Sequence, residues 1–299
     1  GNDGATGTLV PGDVIDNGVL RFDRTGTVLV PNNISGTGNV TLDCPVGAGT
    51  IVLSGTNSFT GPVTVTSGAL RITNSTALGT TLPAATKNVN VSNGSAGNCQ
   101  FRLDGSGGSI DIPASIRYVT SNTSGAIFNE SGSNILRGNI TCAAGGGDTK
   151  IIVTLGTLTL EGNVAPNTTA RTFILGGAGT GISSGIISNG TGIQTLAVTK
   201  ADAGTWTVSG TNTYSGTTTV NTGTLKLGGA GAMGHGGIIF GAATGGTTVS
   251  AGATLDLNGQ QGINEVLTIR GIGVGGADAL VNNDATAASI ENGVSSIST

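Results

Sequence analysis

The stretch WTVSGTNTYSGTTTVNTGTLKLG, Trp206 to Gly228, decides the fold. Lys226 is its only charge, and it holds no His, Cys or carboxylate. Apolar residues recur at steps of two, as in Leu225 and Leu227, with Gly, Asn and Thr between them. Such alternation with turn punctuation reads as short strands. The same spacing appears in Val63 and Val65, Leu70 and Ile72, Val89 and Val91, and Leu255 and Leu257.

An earlier copy explains the pattern. GTIVLSGTNSFTGPVTVTSGALRITNSTALG, from Gly49, aligns without a gap to GTWTVSGTNTYSGTTTVNTGTLKLGGAGAMG, from Gly204, with 13 identities in 31 positions. Phe59 faces Tyr214, Arg71 faces Lys226 and Leu78 faces Met233. The match resumes with FRLDG at 101–105 against LDLNG at 255–259. A repeat of this length points to a stacked architecture. Strands this close leave no room for helical crossovers, and Asn-Gly or Asp-Gly hairpins between them are few. The reading is all-β, a parallel β-helix or β-solenoid, continuous over 1–299. Its units are 1–48 (the tail of a preceding unit), 49–203 (a full unit) and 204–299 (a partial second unit). At roughly 20–25 residues per coil and about 4.8 Å per coil, about 12 to 15 coils make a rod of roughly 60–70 Å.

Each residue of the repeat then has an expected place. Gly55, Gly61, Gly68, Gly210, Gly216 and Gly223 serve bends, where φ can turn positive. Asn57 and Asn212 bond their own turns or take the left-handed region. Val63, Val65, Leu70, Ile72, Val220, Leu225 and Leu227 form core ladders, and Trp206 and Val208 point inward. Cys44, Cys99 and Cys142 share the parity of the apolar strand face, so they are expected as small core residues. An odd cysteine count without any CxxC argues against both a disulfide framework and a zinc site.

The segments GTNTYSGTTTVNTGTLKLG and TTVSAGATLDLNG resemble the autotransporter-associated β-strand repeat, also called the passenger-associated transport repeat. The earlier copy departs from it at Pro62, where the family more often has Gly or Thr. The resemblance implies a right-handed parallel β-helix, exposed on or exported from a bacterial cell. In autotransporters the repeat is associated with outer-membrane passage of the passenger. A C-terminal membrane barrel is not visible, since the chain ends in ENGVSSIST without a terminal aromatic.

Composition narrows the function. Charged residues are 9% of 299, about a third of the usual share, and Gly alone counts 55. With 36% hydrophobic residues and a net charge of −4, the chain can bury a core and is not disordered. A pI near 4.8 and few Lys or Arg argue against nucleic acid. No 18-residue apolar run exists for a transmembrane helix. The opening GNDGATGT has neither Met nor a signal-peptide pattern, so a processed form or an excerpt is expected.

Motifs of chemistry are thin. GISSG, Gly181 to Gly185, matches G-x-S-x-G but lacks a following helix, and His235 is the only His. GIGVGG, Gly271 to Gly276, matches G-x-G-x-x-G without a helix after it. His235 stands between two Gly with no second His to complete a metal site. Asp13 and Asp16 are too isolated for a cage, and no calcium-binding glycine-aspartate repeat appears. A β-helical polysaccharide lyase or glycosidase needs clustered carboxylates. The candidates Asp23, Asp43, Asp104, Asp111, Glu130, Asp148 and Glu161 are scattered. The expectation is a non-enzymatic extracellular structural protein without cofactor: a stalk, adhesin segment or fibre unit of a bacterial surface. Its expected partners are copies of itself end to end, or further repeats of a longer chain. The alternatives are a passenger scaffold whose active part lies outside this chain, and the β-helical enzyme.

Overall fold

The computed structural model describes residues 9, 11–45, 49–82, 85–92, 99–145, 147–228, 246–261, 263, 266–290 and 294–298. They form a parallel β-solenoid with three lateral faces. The first face runs through Val19–Phe22, Asn39–Asp43, Val63–Ser67, Lys87–Ser92, the start of Ile116–Ser131, Ile140–Cys142 and Val164–Pro166. The second begins with Gly26–Val30, Gly49–Leu53, Ala69–Ile72 and Gln100–Asp104, and continues to Val294–Ser298. The third carries Asp111–Ile112, Ser133–Leu136, Thr157–Leu160, Thr180–Ser183, Thr205–Val208, Gly223–Leu227, Ala253–Asp256 and Leu280–Val281. Every strand pairing in the described residues is parallel, as stacking of successive coils requires.

Coils are less uniform than 20–25 residues. Ala69 pairs with Thr50 on one side and with Gln100, 31 residues further on, on the other. The second face therefore steps through about eleven coil-to-coil pairings, a rod of roughly 50 Å. The connection from third to first face is three residues in successive coils: 113–115, 137–139 and 161–163. The connection from first to second face instead ranges from Gly68 alone to 93–99. The connection from second to third face varies as widely, from Gly132 alone to 271–279.

One core fills the interior, from Phe22 to Ala279. On the second face, Ile51, Leu70, Phe101, Ile127, Ile151 and Leu175 stack as one inward column. Burying each such side chain is worth roughly 1.5–3 kcal/mol, and the column repeats that gain at every coil.

Close approach of the backbones is what most of the repeat glycines provide. Gly138, Gly162, Gly185 and Gly210 form a stack at the third-to-first edge. A Cβ added to any of them would strike a carbonyl oxygen of the coil below: that of Ile116, Gly138, Gly162 and Gly185 in turn. Gly162→Ala is expected to cost roughly 1–3 kcal/mol by overpacking. Gly18→Ala, where a Cβ meets nothing within 4 Å, should stay within about 0.5 kcal/mol. Urea unfolding midpoints of the two variants check this.

Candidate functional site

The two copies of the repeat trace the same local path but on different faces. Gly49–Leu53 lies on the second face and its counterpart Thr205–Val208 on the third. Val63–Ser67 is on the first and Thr218–Val220 on the second. Ala69–Ile72 is on the second and Gly223–Leu227 on the third. The offset between copies thus amounts to whole turns plus one face. Arg71 and Lys226, equivalent in sequence, point outward from different sides of the rod.

Within each copy the geometry is conserved. Val63, Val65, Leu70, Ile72, Val220, Leu225, Leu227, Cys44, Cys99 and Cys142 are all at most 2% exposed. Gly68 and Gly223 take positive φ, 84° and 68°, where a Cβ is disfavoured. Gly55, Gly61, Gly210 and Gly216 do not, which corrects the expectation of positive φ there. They are needed because a Cβ would collide with the carbonyl oxygens of Asn32, Gly38, Gly185 and Leu196.

Asn57 and Asn212 also depart from expectation. Both are buried, at 2% and 1% exposure, and neither adopts positive φ. Asn57 Oδ1 accepts from the Ile34 amide of the coil below at 2.8 Å, while its Nδ2 donates to the Ala77 carbonyl of the coil above at 2.6 Å. Asn212 Oδ1 accepts from the Ile187 amide at 2.8 Å. Asn134 does the same for Ile110 at 2.8 Å. Asn57 and Asn212, outside strands, and Asn134, within strand Ser133–Leu136, thus satisfy buried amides of a neighbouring coil that no strand carbonyl serves.

Trp206 and Val208 point inward as expected. The Trp206 indole is fully buried and its Nε1–H donates to the Gly176 carbonyl at 3.0 Å. Gly181 pairs with Trp206 across coils, and a Cβ at Gly181 would enter the indole ring. This explains the first Gly of GISSG, which lies in strand Thr180–Ser183 with Ser183 wholly buried. GIGVGG folds as a turn with a single 3-10 turn at Val274–Gly276. His235 and Met233 lie outside the described residues.

The scattered acids are each engaged. Asp43 and Asp23 meet Arg21, Glu130 meets Arg71 and Arg102, and Asp111 and Glu161 meet Arg137. Asp148 accepts from the Thr172 amide at 2.7 Å, and Asp104 from the Ser131 hydroxyl at 2.7 Å. Hydrogen bonds from Ser106 and Ser131 hold Asp104 below the usual carboxylate range, and the Arg137 guanidinium does the same to Asp111. A general acid needs the opposite displacement. Asp111 and Glu161 lie two coils apart, about 10 Å, with Arg137 between them, while Asp23 and Asp43 lie on adjacent coils and share Arg21.

Two buried lysines were not legible in the sequence. Lys200 belongs to the inward column after Leu175, and its ammonium donates to the Ala201, Asp202 and Thr222 carbonyls. Lys87 Nζ donates to the Phe59 and Leu78 carbonyls and lies 3.6 Å from the centre of the Phe59 ring. Burial pulls Lys87 down to about 7 and Lys200 to about 8. Burial pushes the Cys99 thiol up to about 11 and Cys142 to about 12, so these thiols are unreactive.

Residues 46–72 and 198–227 match the family model of the passenger-associated-transport-repeat, so the chain carries this repeat twice. A relative among characterised proteins is the Adhesin BmaC autotransporter of Brucella suis biovar 1 (strain 1330), 36% identical over 126 residues. That match covers 41% of this chain and 4% of that protein. No solved structure matches.

Removing the side chain of Asn57 or Asn212 strands a buried amide. Asn57→Ala and Asn212→Ala should each cost about 1–3 kcal/mol in urea unfolding, and Thr64→Ala, half-exposed on a strand, much less. The lysines add a pH signature. Their folded pKa values lie below the unfolded one, so the unfolded chain binds more protons between about pH 7 and 10.5. Stability should therefore gain from both as pH rises through that window. In Lys87→Met the rise should shrink by on the order of a few kcal/mol, read from unfolding midpoints at pH 6.5 and 9.5.

Proposed function

We propose that the chain is a non-enzymatic structural segment of an exported adhesin, a rigid spacer presented outside a bacterial cell. The observation that carries this is the unbroken core running from Phe22 to Ala279, to which the repeat contributes its strands. The repeat family and the adhesin relative support display at or beyond the cell surface. The units 49–203 and 204–299 are successive pieces of one array, set one face apart. Adhesion by the whole protein, and any active part of a passenger outside this chain, belong to the same proposal.

Its side chains support a scaffold rather than a catalyst. The acids serve as partners for arginines and backbone amides, and the repeat residues serve packing. No helix of the described residues is long and apolar enough to cross a membrane.

Two measurements test the reading. An antibody against the chain should label intact, unpermeabilised cells of the source organism; labelling only after permeabilisation would overturn surface display. Incubation of the purified chain with plant and bacterial polysaccharides should release no reducing ends and no unsaturated products. Release that disappears in Asp111→Asn or Glu161→Gln would establish the enzyme instead.

A further inference from the structure

One outward column of the third face is hydroxyl-bearing: Ser133, Thr157, Thr180, Thr205 and Thr224 stack in register. The middle of the second face differs. There one outward column reads Arg71, Arg102, Phe128 and Ile152. Phe128 is the one described aromatic that is not buried.

The local backbone is shaped around this ring. Gly125 adopts φ of 130°, a conformation that L side chains rarely take, and an added Cβ would lie 2.5 Å from Phe128 Cζ and 2.8 Å from Ile152 Cδ1. Gly125 follows Asn122 on the variable first-to-second edge, where the register of strand Ile116–Ser131 shifts. The ring and Ile152 thus form a seated apolar surface.

Beside it, two guanidiniums are fixed. Arg71 Nε lies 2.7 Å and Arg102 Nη1 2.8 Å from the Glu130 carboxylate. Gln100 Oε1 takes the other edge of Arg102, and the Arg102 Cζ lies 5.3 Å from the centre of the Phe128 ring. All three charged side chains are 20–30% exposed. Glu130 and Asp104, whose carboxyl the hydrogen bonds from Ser106 and Ser131 and the Arg71 charge hold low, balance these two cations. What the cluster offers is preordered Arg groups, which bind carboxylates with good geometry.

We propose that this patch of Arg71, Gln100, Arg102, Phe128, Glu130 and Ile152 binds a carboxylated polysaccharide. The apolar face of a sugar ring packs against Phe128 and Ile152, and its carboxylate meets the outer N–H groups of Arg71 and Arg102. A flat apolar contact with a few placed polar groups is what a saccharide requires. A nucleic acid, with a charge on every phosphate, calls for a longer run of cations than two. The site adds a ligand class to the scaffold reading without being required by it, so its failure leaves that reading standing.

Affinity electrophoresis of the whole chain in gels containing polygalacturonate, with neutral dextran gels as reference, tests it. The chain should be retarded by polygalacturonate and not by dextran, and the retardation should weaken as salt rises. Arg71→Gln combined with Arg102→Gln, and separately Phe128→Ala, should weaken apparent affinity at least tenfold, whereas Lys226→Gln on the third face should leave it unchanged. Circular dichroism and thermal melting confirm that each variant is folded. Should Phe128→Ala or the double variant unfold, Phe128→Leu and Arg102→Lys replace them with the same expected loss. No retardation of the native chain, equal retardation by dextran, or undiminished retardation of the folded variants would each overturn the proposal.

Discussion

Everything in this molecule rests on one coil lying directly on the next. Parallel pairing brings backbones about 4.8 Å apart at every turn, and at the third-to-first edge that distance leaves no room for a Cβ. Gly138, Gly162, Gly185 and Gly210 are the consequence. So are the inward columns, because residues in register stack on residues of similar kind coil after coil. Where no strand carbonyl serves a buried amide, a buried asparagine of a neighbouring coil does. Asn57 ties together three coils in this way, through Ile34 below and Ala77 above.

The repeat is therefore a packing module, not a fixed display unit. Its two copies face different sides of the rod, yet keep their glycines, their asparagine and their inward residues in equivalent places. What is preserved between copies points inward or along the axis. What points outward is free to differ, as Arg71 and Lys226 do in their surroundings: the first shares Glu130 with Arg102, the second stands in a column with Thr207 and Asp256. Any lateral ligand site is then a local feature of particular coils.

Much of this was legible in the sequence. Steps of two between Val63 and Val65 or Leu225 and Leu227 disclose strands, and the gapless match between Gly49 and Gly204 discloses stacking. The inward parity of Cys44, Cys99 and Cys142 follows from the same alternation. Other features depend on which atoms lie in the neighbouring coil, which no local pattern encodes. That is why Gly210 reads as a flexible bend but serves close approach, and why Asn212 reads as a turn residue but caps another coil's amide. The same ignorance of neighbours makes Glu130, Arg71 and Arg102 look scattered although they meet on adjacent coils. Lys200 follows the inward parity of Leu196 and Val198, yet a charged residue at such a position is ordinarily read as exposed.

Amide hydrogen exchange at Ile34, Ile110 and Ile187 measures the coil-to-coil contact most directly, since each of these N–H groups has an asparagine side chain of the next coil as its partner. The stacked account predicts that they exchange as slowly as amides held by strand carbonyls, such as Ala143, which donates to Thr120 of strand Ile116–Ser131. Exchange at the rate of open turn amides would show that the asparagines do not bridge the coils, and would contradict it.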